Sequence, residues 1–187
     1  MSLFDSVKGL IGPEIIKKAS TTLGENTSNV STAVSQIIPG IMGKIISSGS
    51  DKGVVSALQS ASTQSDSILS DISNIFSGKQ SGQSKNAGSS LVSSLFGSGL
   101  SDFTKQISQQ SGISQSSAGK LISMVAPVIV GVLTKKGTSG GGFDIAKLLV
   151  SLGSEKNKIL SNLPGEITSL LDGAAGGGIL GKIKGLF

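Results

Sequence analysis

Residues 121–133 read Leu-Ile-Ser-Met-Val-Ala-Pro-Val-Ile-Val-Gly-Val-Leu, and this apolar stretch decides the fold class. Extended toward the N-terminus, its apolar positions recur at Ala118, Ile122, Val125, Ile129 and Leu133, the spacing of one helical face. The unbroken apolar part, Met124–Leu133, is ten residues long and contains Pro127 and Gly131. A membrane span needs about twenty, so a buried core helix is the expectation. Pro127 removes one helical N–H and crowds the carbonyl of Ser123, so that helix is expected to kink or break.

The same script occurs 88 residues earlier. Laying 14–49 over 102–137 without a gap matches Lys17 to Lys105, Ser20 to Ser108, Gly24 to Gly112 and Pro39 to Pro127, with nine identities in 36 positions. In each copy an amphipathic helix (Ile15, Ala19, Leu23; Leu100, Phe103, Ile107) precedes a glycine suited to a left-handed C-cap. Two residues on stands a good N-cap, Asn26 or Ser114, for the long apolar helix. Pro13 suits a first helical position, and Ser101 suits an N-cap before Asp102. The first copy's long helix carries Val30, Val34, Ile37, Ile41 and Ile45. We read a diverged duplication.

Working outward, helical patterns fit 54–61, 67–76, 143–152, 156–163 and 166–171, and Pro164-Gly165 separates the last two. No stretch alternates with period two. The fold class is therefore all-α, with two pseudo-repeated helical units packed through proline-kinked apolar helices. The expected organisation is a first unit over 1–77, a polar Gly/Ser linker over 78–90, and a second unit over 91–172. A glycine tether with an apolar-basic tail follows over 173–187. Residues 138–142 read as a glycine-rich loop.

Composition narrows the chemistry. Among 187 residues there is no His, Cys, Trp, Tyr or Arg, and all 16 basic residues are lysine. That leaves no Ser-His-Asp triad, thiolate nucleophile or imidazole metal site. Gly and Ser number 27 and 36, yet 37% of residues are hydrophobic, enough for an aliphatic core. Only 14% are charged, so the surface is built from Ser, Thr, Asn, Gln and Gly, a composition prone to association.

The remaining motifs yield no active site. Gly176–Lys182 approaches a phosphate-binding loop, but Ile183 replaces the required Ser or Thr and too few residues follow to form a helix. Ser117-Ala-Gly-Lys120 matches the S-x-x-K pattern without the supporting motifs of Ser-Lys acyl enzymes. Asp66 and Asp71 are five apart and do not share a helical face. Lysines exceed acids over 120–158, but without arginine or aromatic platforms nucleic acid ranks low as a partner. The opening Leu3, Phe4, Val7, Leu10 and Ile11 form an amphipathic segment better suited to the core than to a membrane surface.

Three stretches together resemble the YidB-like bacterial domain family of unknown function. They are Ser94-Leu-Phe-Gly97, Ile107 through Gly112-Ile113-Ser114, and the helix from Leu121 through Ala126-Pro127 to Leu133. The resemblance implies an all-helical fold and brings no catalytic residues. Met1-Ser-Leu-Phe-Asp and Ile159–Pro164 resemble a subgroup in which such a domain precedes a membrane segment and an OmpA-like envelope domain. The 187 residues read here contain neither of those parts.

The function expected from these readings is a non-enzymatic structural or protein-interaction module, with self-association as one mode. The alternative is a peripheral membrane-surface or envelope-associated protein. Ile37, Ile41, Val125, Ile129 and Val130 are expected to carry association, with Leu180, Ile183, Leu186 and Phe187 as a second site. The partner is another protein or a second copy. No cofactor, metal or small-molecule substrate is expected. With no signal peptide or transmembrane helix read, the expected location is cytoplasmic.

Overall fold

The computed structural model describes residues 2–79, 81–138 and 143–173, with side chains described as far as residue 169. The described residues are helical with no strand, in the order α1 (Leu3–Leu10), α2 (Pro13–Leu23), α3 (Thr27–Ser48), α4 (Lys52–Ser62), α5 (Ser65–Ser70) and α6 (Ile72–Phe76). Then follow α7 (Gly82–Phe96), a 3-10 turn (Gly97–Gly99), α8 (Leu100–Ser111), α9 (Gln115–Gly137), α10 (Ile145–Ser154), α11 (Lys156–Leu160) and α12 (Gly165–Gly173).

The stretch that opened the sequence analysis becomes the axis of the molecule. Every residue of α9 from Met124 to Thr134 is buried, so this helix is enclosed on all sides. A helix apolar around its whole circumference has no face to give to water. Nine of the other helices, from α1 to α8 and α10, touch it. The second axis is α3, buried without interruption from Gln36 to Ile45. Both are long and apolar enough to cross a membrane, and most of each is covered by the surrounding helices. Both also continue through their prolines: α3 runs past Pro39 and α9 past Pro127 without interruption. Neither helix is broken at its proline: buried neighbours hold it together where one hydrogen bond is missing.

The helix pairs α2–α3 and α8–α9 turn in the same way. Gly24 and Gly112 adopt φ of 68° and 76°, the left-handed region that glycine enters without a Cβ penalty. Asn26 and Ser114 cap the next helices through side-chain oxygens. Ser20 Oγ donates to the Glu25 carbonyl at 3.0 Å, and Ser108 Oγ donates to the Ile113 carbonyl at 2.7 Å. Those bonds sit at equivalent positions of the two turns, 88 residues apart. The turns also meet: Ser114 N donates to Glu25 Oε1 at 2.9 Å, and Asn29 Nδ2 to the Gly112 carbonyl at 3.4 Å.

Several expectations are corrected. Residues 78–90 are not a linker, since Gly82 onward belongs to α7, capped by Ser81 and packed along α9. The helix expected over 67–76 is two, because the Asp71 N–H bonds back to Ser67 and Ile68 while its carboxylate accepts from Asn74 and Ser81. Helix α8 begins at Leu100 after Gly99, so Ser101 is not its N-cap. The buried side chains on either side of residues 78–90 form one cluster.

The N-terminus packs inward as expected. Leu3, Phe4 and Val7 are buried, while Glu155 accepts the N–H groups of Leu3 (2.7 Å) and Phe4 (3.0 Å). A carboxylate at that helix end satisfies two of its orphan donors and opposes the positive end of the dipole. Lys158 adds an ion pair to Asp5 at 2.6 Å. The glycine-rich loop lies outside the described residues from 139 to 142, and its flanks Thr138 and Phe143 form an antiparallel bridge.

Candidate functional site

The five core residues expected to carry association do not reach the surface. Ile37, Ile41, Val125, Ile129 and Val130 are all fully buried. The apolar character that suggested an interface instead joins α3 and α9 to their neighbours within one chain. Leu180, Ile183, Leu186 and Phe187 lie outside the described residues.

Among the described residues, two of the recesses bear on function. The first is a polar cleft of about 600 Å³ where the end of α3 meets the α7–α8 corner, lined by Lys44, Asp51, Phe96, Asp102 and several serines. Lys44 is 2% exposed, an unusual position for a lysine. The Leu95-Phe96-Gly97 motif forms the corner itself. Leu95 and Phe96 are buried, the Phe96 ring stacks on Phe103 at 4.5 Å, and Gly97 turns the chain with φ 48°. The motif is therefore explained by packing. Asp51 is already engaged as the α4 cap, accepting from Gly53 N at 2.8 Å and Val54 N at 3.3 Å. Among the described residues no group of three acids gathers to hold a metal ion.

The second recess is an apolar groove of about 560 Å³ between α1, α5 and the end of α9. Leu10, Leu69 and Val132 supply its apolar lining, and Ser6 and Gly9 keep its α1 wall low. Leu10 is 40% exposed, in a chain whose other large apolar side chains are mostly covered. Asp5, Lys135 and Lys136 stand at the edge. A hydrogen bond from Lys158, followed by one from Ser2, holds the Asp5 carboxyl below its ordinary value of 3.8. Lys135 is shared with Asp66 at 2.9 Å, both well exposed. Lys136 makes no ion pair among the described residues.

Periodicity did not single out this groove. The spacing places Leu10 in the α1 stripe, and Leu69 stands beside the stripe residue Ile68. The available signal was an extra apolar residue adjacent to a stripe that was already complete, in two short helices.

A family model for bacterial proteins of unknown function (DUF937) matches residues 5–136. The chain belongs to this family, and the YidB-like resemblance is consistent with it. The matched region runs from α1 through nearly all of α9, so it takes in both helix pairs, the Leu-Phe-Gly corner and every groove-lining residue. No curated protein and no solved structure matches the chain.

Proposed function

We propose that the chain is a non-enzymatic protein-interaction module whose contact surface is the groove at Leu10. The carrying observation is Leu10, 40% exposed over an apolar recess, among described residues whose other large apolar side chains are mostly covered. Grooves of a few hundred Å³ with apolar walls and a few polar groups at the rim are general binding features. The polar cleft supports a catalytic reading less well, since one of its two carboxylates is occupied as a helix cap.

A photo-crosslinking amino acid in place of Leu10, in the full chain expressed in a bacterial cell, tests this reading. Discrete protein adducts are expected. Adducts only to phospholipid would replace the proposal with the membrane-surface reading, which Val150, 73% exposed on α10 beside Lys147, favours. No adduct of either kind would overturn both. Light scattering over a tenfold concentration range separates a second copy from a different partner, because only self-association raises the mass of the purified chain.

A further inference from the structure

Resting on that reading, we infer that the groove takes an amphipathic helix of a partner protein, with its apolar face against Leu10, Leu69 and Val132 and an acidic residue at Lys136. The shape argues first. A recess walled by α1 and α9 receives projecting side chains, whereas a bilayer surface engages apolar residues that project from the protein. Helix-in-groove docking is a recurrent mode that uses anchors at successive turns.

Charge argues second. Of the three charged residues lining the groove, Asp5 is neutralised by Lys158 and Lys135 is balanced by Asp66, both outside the lining. Lys136 is left without an ion pair among the described residues, so the rim carries a positive excess. An acidic flank on the partner complements it, and a basic flank is repelled.

Gly9 supplies a variant that blocks the groove without disturbing the core. It lines the α1 wall, and a Cβ built there meets no atom within 4 Å. A leucine at this position fills the recess and replaces a helix-interior glycine with a better helix former.

The test is fluorescence anisotropy on the full chain with two synthetic helical peptides. Both carry leucines at successive turns of one face; one is flanked by glutamates and the other by lysines. The glutamate peptide is expected to bind at least about tenfold more tightly than the lysine peptide. Gly9→Leu and Leu10→Asp are each expected to weaken it about tenfold or more, with the thermal unfolding of Gly9→Leu unchanged or shifted upward. Lys136→Glu is expected to reverse the preference between peptides. Equal affinity for both peptides, no binding of either, or indifference to Gly9→Leu would overturn the inference. So would binding only to anionic phospholipid vesicles in a Leu10-dependent manner. Protein adducts from position 10 combined with failure of the glutamate peptide would leave the interaction module standing and remove the acidic helix.

Discussion

Gly88 lies directly against Pro127: a Cβ built on Gly88 would fall 2.6 Å from Pro127 Cδ and 3.2 Å from both its Cγ and its nitrogen. Helix α7 therefore crosses α9 at the point where α9 lacks an N–H, with only a glycine between the two. The proline ring occupies the space where a helical N–H would lie, and the absence of a side chain on Gly88 leaves room for it. Gly40 makes a similar approach next to the other proline, where a Cβ would sit 2.7 Å from two ring carbons of Phe103.

Gly88→Ala is expected to destabilise the protein by about 1–3 kcal/mol, because the proline ring cannot yield as a flexible side chain can. Gly82→Ala on the same helix, where a Cβ meets nothing within 4 Å, is expected to be neutral or mildly stabilising. Denaturant midpoints of the two variants check this. Equal effects would remove the close approach as a determinant.

A double-mutant cycle tests the second approach. Gly40→Ala alone pushes on the Phe103 ring, and Phe103→Leu alone loses packing. The combined variant is expected to be more stable than the sum of the two changes implies, by about 0.5–3 kcal/mol of coupling. Simple additivity would mean that the ring moves aside without cost.

Ile129→Ala is expected to cost about 2–5 kcal/mol of stability, the usual range for emptying a fully buried aliphatic site. Chemical denaturation reads the cost. Association lost without a change in stability would return Ile129 to an interface role.

Glu155 holds α1 through two backbone N–H groups. Glu155→Ala is expected to cost about 1 kcal/mol, in line with the loss of a helix cap. Hydrogen exchange should accelerate over 3–10 more than over α9. Uniform acceleration of both would show that α1 does not open separately from the core.

Acid should weaken the fold through three carboxylates. Asp5 is lowered by Lys158 and Ser2, Glu25 by hydrogen bonds from Ser117 and Ser114, and Asp71 by Asn74 and Ser81. Each folded value lies below the ordinary one, so each contribution is complete above the unfolded values of 3.8 and 4.5. It is lost as pH falls below them. The denaturant midpoint is expected to fall between about pH 6 and pH 3, less steeply in Glu25→Gln. All three groups are partly exposed to solvent, and added salt should reduce the Asp5 part.

The sequence by itself determined the helical class, the two long core helices and the turns that precede them. Those properties are local. Apolar spacing over 118–133 already specifies an enclosed helix, and Gly24, Gly112, Asn26 and Ser114 carry their backbone preferences wherever the chain leads. Tertiary structure decided what local chemistry left open. The Gly/Ser-rich stretch from Gly82 has weak helix propensity and reads as a linker, yet it is helical along α9, where Gly88 allows contact with Pro127. Glu155 caps a helix whose first residue lies 152 positions away, a pairing that no spacing rule contains. Leu10 remains at the surface while Leu3, Phe4 and Val7 do not, because α1 has one face to bury and the packing of α5 and α9 stops short of covering the next. Propensity acts within a few residues of the chain; burial is settled only when distant segments compete for the same surface.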